Sequence, residues 1–241
     1  AGVPYVPVSP PYSLVSQDYD KLHHVLKTVT PGLVFAADAG RYGKAVRATV
    51  GPDVEVVLAA GQLEGRACTR FTELAATPAT AAVDRAMQAT GPDTIVKFLF
   101  TSGSTKMPKA VINTQRMWCA NQQQMAQSMP VLLEEPPVLV DWLPWNHTFG
   151  GNHNFNLVLR NGGTLYIDGG KPVPGLVEAT VRNLKEIAPN LYFNVPRGYD
   201  LLLPFLERDA ELRRNFFREL QVVFYAAAAL PQNLWDRLVR L

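Results

Sequence analysis

The densest run of chemistry-bearing residues is TSGSTKMPK, Thr101 to Lys109, followed by Ala110. Thr101, Ser102, Ser104 and Thr105 bring short hydroxyl donors, Gly103 permits close backbone approach to a ligand, and Lys106 and Lys109 add ammonium charge. A polyphosphate fits that chemistry. The spacing is not that of the nucleoside-triphosphatase loop GxxxxGK[ST], because Lys109 comes six residues after Gly103 and has no glycine before it. The competing reading, a solvated Ser/Thr/Gly connector, applies to any hydroxyl-rich loop.

Three further runs gather side chains suited to a binding site. LPWNHTFGGN, residues 143 to 152, puts Trp145, His147, Phe149 and Gly150 after the apolar run PVLVDW. A lone histidine is more often a structural hydrogen-bonder than a catalytic group. His153 falls inside the next helix and is read as incidental. NLYFNVP ends in Asn194, Val195 and Pro196, and alone it reads as a strand stopped by proline. FYAAAALPQNL, residues 224 to 234, carries Tyr225 and then Ala226, Ala227 and Ala228, whose small side chains let flat ligand groups approach the backbone. An alanine-rich strand packed on a helix is the plainer alternative.

The elements that must hold these runs alternate. GLVFAAD, VEVVLAAG, TIVKFLF, PVLVDWLP, GTLYIDG, NLYFNVP and LQVVFYAAA read as strands, apolar enough on both faces for buried parallel pairing. Between them AGRYGKAVRATV, NTQRMWCANQQQMAQSM, NFNLVLRNG, PGLVEATVRNLKEIA and YDLLLPFLERD read as helices, and PQNLWDRLVRL as an amphipathic helix at the end. The pattern predicts an α/β fold, βαβ-alternating, with mostly parallel sheet flanked by helices. Thr101–Lys109 then lies at the carboxyl end of a strand and ahead of a helix, where open α/β sheets bind ligands. The stretch from Phe71 to Gly91 is weakly patterned and reads as a surface crossing.

The 241 residues are 47% hydrophobic and 18% charged, with a net charge of +2, ample for a core and without a basic excess pointing to nucleic acid or an anionic membrane. No apolar run approaches the ~20 residues of a membrane helix. Cys68 and Cys119 are too far apart for a CxxC motif, which favours free thiols in a reducing, cytoplasmic compartment. The opening VPYVPVSPPYSLVS holds four prolines and leads into no element, so the expectation is a segment that starts within a domain.

The run at 101–110 resembles the TSGSTGxPKG loop of the adenylate-forming, AMP-binding superfamily, which includes acyl-CoA synthetases, luciferases and peptide-synthetase adenylation domains. It departs at Lys106 and Ala110, where the family has glycine. Leu143, Pro144 and His147 match the family's LPxxH strand end, Asn194–Pro196 resemble its "VP" strand end, and Ala226–Ala228 lie where it has a Gly/Ala-rich loop. Within the acyl-CoA synthetase branch, FTSGSTKMPKAVINTQRM and VDWLPWNHTFGGNHNFNLVLRNGGTLYIDGGKP resemble the feruloyl-CoA synthetases most.

The resemblance implies ATP- and Mg²⁺-dependent activation of a carboxylic acid, ferulate or a related hydroxycinnamate, to an acyl-adenylate and then a CoA thioester. It implies that Thr101, Ser102, Gly103, Ser104, Thr105, Lys106 and Lys109 hold the phosphates, with Thr105 on the metal, and that Ala226–Ala228 border the adenine. His147 is implied beside the reacting carboxylate, as a catalytic residue with Lys109, while Trp145, Phe149, Gly150, Asn194, Val195, Pro196 and Tyr225 line the acyl site. The family's YGxTE strand, its ribose-binding aspartate and its lysine-bearing C-terminal domain do not occur in this sequence. The expectation is therefore a partial AMP-binding domain over 1–241, inactive by itself, and able to self-associate as a homodimer through exposed sheet edges. Two alternatives stay open: a non-catalytic nucleotide- or acyl-binding module, and an adenylation domain for a fatty, benzoic or amino acid.

Overall fold

A computed structural model describes residues 2–101 and 107–241. The chain divides into two compact units, Ala1–Arg116 and Met117–Leu241.

In the first unit a short helix, α1 (Pro11–Leu14), precedes α2 (Asp20–Val29). Strand β1 (Leu33–Asp38) leads directly into α3 (Ala39–Thr49), because Asp38 caps that helix by accepting from the Arg41 N–H. Strand β2 (Glu55–Ala60) lies parallel to β1, and the two-residue β3 (Thr69–Arg70) pairs parallel on its far side. Ala36, Val56 and Leu58 from the strands, Ala39 and Val46 from α3, and Val50 just after it form one core. The surface crossing is two short helices, α4 (Phe71–Ala75) and α5 (Ala81–Gln88), neither of which buries a residue.

Strand β4 (Ile95–Thr101) is the expected apolar run, but its partner departs from expectation. Lys109–Thr114 forms β5, antiparallel to β4, with Thr101 opposite Lys109. The hydroxyl-rich run therefore joins two antiparallel strands instead of leading straight into a helix. The helix α6 (Gln115–Ser128) begins only after β5. Strand β5 leaves the apolar side chains of Val111 and Ile112 exposed, and its pairing with β4 is an antiparallel exception within a mostly parallel architecture.

The second unit is built on parallel pairs. Strand β6 (Val138–Asp141) pairs with β7 (Thr164–Ile167), and β8 (Leu191–Asn194) with β9 (Val222–Tyr225). Asn190 links the pairs: its side-chain oxygen accepts from the Val138 N–H at 2.7 Å, and its own N–H donates to the Val138 carbonyl at 3.2 Å. Alternation along β6 and β8 then makes two cores. Leu139, Leu191 and Phe193 face one cluster with Leu143, Phe149 and Leu157, whereas Val140 and Tyr192 face another. The second cluster is completed by α8 (Val177–Glu186), α9 (Pro196–Arg208) and α10 (Ala210–Phe217). Between β6 and β7 run a π-helix (Phe149–Asn154) and α7 (Phe155–Arg160), and α11 (Gln232–Val239) follows β9.

Candidate functional site

Within the first unit the structure brings Thr101 and Lys109 together as directly opposed residues closing the β4–β5 hairpin, both with exposed side chains. Ser102, Gly103, Ser104, Thr105 and Lys106 lie outside the described residues. Pro108 is buried, and the His24 ring nitrogen Nε2 lies 2.9 Å from its carbonyl while the ring sits edge-on to Phe100. His24 thus fastens the return strand just before Lys109. Nothing in the pair HisHis at 23–24 signals this in sequence, since the contact spans a long stretch of chain.

In the second unit the chain leaves β6 at Asp141 and turns sharply. The Leu143 N–H donates to the Asp141 side chain at 2.9 Å, and the His147 N–H donates to the Pro144 carbonyl at 3.0 Å. The π-helix then packs its backbone onto that turn. A Cβ on Gly150 would stand 2.6 Å from the Leu143 carbonyl oxygen, and one on Gly151 would stand 2.2 Å from that of Trp145. Only glycine fits at either place. The wide helix is closed by the Phe155 N–H donating to the Gly150 carbonyl, five residues back.

This turn sets the predicted residues apart by exposure. Trp145 is 44% exposed, its ring tilted against Phe155 with centroids 5.0 Å apart, and His147 is also exposed, its Nδ1 accepting from the Phe149 N–H at 3.2 Å. Phe149 and Gly150 are buried beneath them.

The register of β8 and β9 pairs Asn194 with Tyr225, and the Ala226 N–H donates to the Asn194 carbonyl at 3.3 Å. Asn194, Val195 and Pro196 thus lie alongside Tyr225 and Ala226. The Asn194 amide is only 2% exposed and is used internally: its Nδ2 donates to the Tyr192 hydroxyl at 3.1 Å and its oxygen accepts from the Val195 N–H at 2.8 Å. Gly198 leaves room for it. Asn194 therefore holds the strand end in shape. Tyr199, on α9, completes the brace by donating its hydroxyl to the Phe224 carbonyl at 2.7 Å. After Tyr225, exposed and edge-on to Trp235, Ala227 has φ +74°, a left-handed conformation that glycine adopts more easily. That geometry accounts for a Gly/Ala-rich run at this turn.

His153, read from the sequence as incidental, lies in an aromatic environment. The π-helix places it among Phe149, Phe193 and Phe224: its ring stacks on Phe224 at 5.5 Å and stands edge-on to Phe193 at 5.0 Å and Phe149 at 5.5 Å. Nδ1 lies 2.8 Å from the Asn154 side-chain oxygen. Burial pushes the imidazole below its ordinary range, with the Asn154 contact opposing, so the ring is neutral at pH 7. The visible signal was a histidine four residues after Phe149, but its aromatic partners come from β8 and β9.

Behind His153 lies a buried polar layer. Asn154 lies near enough to Asp141 to oppose the rise of its carboxyl, yet Asn154 Nδ2 and Asp141 Oδ2 are both buried without a hydrogen-bond partner. Burial raises the Asp141 carboxyl to about 6. The neighbouring Asp168 carboxylate accepts from the Gly170 N–H at 2.8 Å, from Asn183 at 2.9 Å and from the Thr180 hydroxyl. Among the described residues no group of three or more His, Cys, Asp or Glu side chains could hold a metal, and no helix is long and apolar enough to cross a membrane.

A family model described as "AMP-binding enzyme" matches residues 1–241. The chain belongs to the AMP-binding enzyme family. No curated protein matches its sequence. Among solved structures it is similar to a malonyl-CoA ligase in a complex with methylmalonyl-CoA and AMP, with TM-score 0.70 and 22% identity, over 99% of this chain and 44% of that one. It is similar to the anthranilate CoA ligase AuaEII bound to anthranoyl-AMP, with TM-score 0.69 and 16% identity over 98% and 42% of the two chains. It is also similar to VinN complexed with L-aspartate, with TM-score 0.66 and 22% identity over 99% and 54%. The chain thus spans about half the length, or less, of these proteins, and at these identities the likeness shows the fold: parallel sheets flanked by helices, as in the N-terminal part of such ligases.

Proposed function

We propose that this AMP-binding chain carries the nucleotide- and acyl-binding part of an acid–CoA ligase. A carboxylate oxygen attacks the α-phosphorus of ATP, the bond to pyrophosphate breaks, and the CoA thiol then displaces AMP from the acyl-adenylate. Positioning and charge neutralisation dominate such a step. Thr101 and Lys109, with Ser102–Lys106 between them, hold the phosphates, and Thr105 contributes to Mg²⁺. The small side chains of Ala226–Ala228, exposed at Ala227 and Ala228, suit a flat purine. In this reading residues 1–241 form a partial AMP-binding domain, and the lysine-bearing domain lies outside them.

The observation that carries the substrate class is the aromatic group Phe149, His153, Phe193 and Phe224, packed beside Ala226 and the Asn194–Pro196 strand end. An aromatic cluster at this strand end favours an aromatic acid, a hydroxycinnamate such as ferulate, over a fatty acid. The cluster also favours it over an amino acid, whose ammonium calls for an accessible carboxylate, whereas Asp141 is buried behind Asn154. The free thiols of Cys68 and Cys119 support a reducing, cytoplasmic setting.

The test is ATP–pyrophosphate exchange by the full-length protein against hydroxycinnamates, benzoates, fatty acids and amino acids. Exchange with the hydroxycinnamates is expected; exchange with amino acids alone overturns the substrate class. Lys109→Ala should weaken ATP binding roughly tenfold, the order expected for loss of one charge-assisted hydrogen bond. Unchanged ATP affinity removes Lys109 from the phosphate site.

A further inference from the structure

The return strand β5 has little burial of its own to hold it. Along Lys109–Thr114 only Asn113 is buried, so the strand depends on its pairing with β4 and on what grips it at the loop end. That grip is on Pro108, a buried residue whose carbonyl lies 2.9 Å from His24 Nε2. A carbonyl oxygen only accepts, so Nε2 carries the proton and donates. The same imidazole stands edge-on to Phe100, with ring centroids 6.4 Å apart. One side chain therefore meets both arms of the hairpin, at the residue before Thr101 and at the residue before Lys109, the pair that closes it. His24 is itself held on a fixed element. Helix α2 buries Leu22 and Val25, and Leu22 packs with Tyr19 and with Ala45 of α3. The peptide joining Pro108 to Lys109 is one rigid plane, so holding its carbonyl fixes the direction from which Lys109 departs.

We propose that His24 is a positioning residue for the nucleotide, setting Lys109 against the ATP phosphates by clamping the Pro108 carbonyl. The proposal rests on the reading of Lys109 as a phosphate ligand and adds a residue that touches no substrate. A lysine ammonium on a flexible four-carbon stem loses rotamer freedom when it binds. A backbone already fixed at its root leaves less to be ordered, and β5 supplies little fixing of its own.

ATP affinity of the full-length protein, measured by calorimetric titration, tests this through a double-mutant cycle. His24→Leu fills much of the imidazole's space without a donor and should weaken ATP binding about three- to tenfold, the order for one lost hydrogen bond. His24→Gln, whose Nε2 stands as many bonds from the backbone as the imidazole Nε2, should restore the affinity to within about twofold. Lys109→Ala combined with His24→Leu should bind ATP no more weakly than Lys109→Ala alone, because His24 acts through Lys109. A purely structural loss is not hidden in that way: the two effects would multiply. Should His24→Leu fail to fold, His24→Asn, which keeps the amide but stops one bond short of the carbonyl, takes its place in the cycle. Unchanged ATP affinity without the donor, multiplied losses in the double variant, or a His24→Gln as weak as His24→Leu overturns the proposal while leaving the phosphate site standing. Unchanged affinity in Lys109→Ala is the separate failure of the phosphate reading, and the proposal falls with it.

Discussion

Asp141→Asn should stabilise the second unit at neutral pH and do so less as the pH falls. Asp141 is 6% exposed at the end of β6, and burial raises its carboxyl from an ordinary 3.8 to about 6, with the Asp168 charge adding and the Leu143 N–H and Asn154 opposing. Between pH 4 and 6 the folded state therefore holds a proton that the unfolded chain has released. Folded stability falls as pH rises through that window and levels off above it. The gap from 3.8 to about 6 corresponds to about 3 kcal/mol at pH 7. Asparagine removes the buried charge and keeps an oxygen for the Leu143 N–H. Its nitrogen, though, takes the place of Asp141 Oδ2, which is buried without a hydrogen-bond partner, and one unpaired buried donor returns about 1 kcal/mol or more. The net expectation is a gain of about 1–2 kcal/mol at pH 7.5, disappearing or reversing by pH 4.

Urea unfolding followed by tryptophan fluorescence suits this test, because Trp118, Trp142, Trp145 and Trp235 all belong to the second unit. Subtracting the variant's stability from the parent's at each pH cancels the opposite slopes of Asp209 and Glu207, whose carboxyls are held low by Lys185 and Arg237. A difference that stays flat from pH 4 to 7.5, or a variant less stable at pH 7.5 than at pH 4 relative to the parent, refutes the assignment of a costly buried charge to Asp141.

Two substitutions probe the backbone that shapes the site. Gly151→Ala places a Cβ 2.2 Å from the Trp145 carbonyl oxygen, so it should destabilise the second unit by about 2 kcal/mol or more, read as a lowered urea midpoint; a midpoint within error of the parent would mean the turn is free to move. Ala227→Gly relieves the φ of +74° and, after the added chain entropy of glycine, should stabilise by about 0.5–1 kcal/mol, a result that the same unfolding curve would contradict by shifting downward.

Much of the architecture was readable because apolar runs bounded by turn residues read as strands, even where, as in β7, most side chains are exposed. Seven such runs became strands, and the parallel pairing of β6 with β7 and of β8 with β9 follows from the helices between them. The failures have local causes. KAVINT buries only Asn113, so periodicity carries no strand signal there, and its extended form comes from pairing with β4. The π-helix is equally silent. FGGNHN reads as a loop or the start of a helix, whereas its real determinant is the approach of Gly150 and Gly151 to carbonyl oxygens in the preceding turn.

The site residues show why a motif can be recognised before its parts can be assigned roles. Gly150, Gly151, Gly198 and Asn194 are spent on construction: the glycines admit backbone or amide atoms where a Cβ would collide, and both ends of the Asn194 amide are used internally. His153, by contrast, sits in a segment that sequence marks as ordinary helix, and it gains its chemistry only from Phe193 and Phe224 on separate strands and from Asn154 on the Asp141 side. Residues that shape backbone are legible because few side chains tolerate their geometry. Residues whose neighbours come from separate strands carry no such local mark and are identified by what surrounds them. The hydroxyl-rich hairpin between Thr101 and Lys109 and the aromatic group around His153 accordingly call for different tests: one measured as loss of phosphate affinity, the other as a change in which acid is preferred.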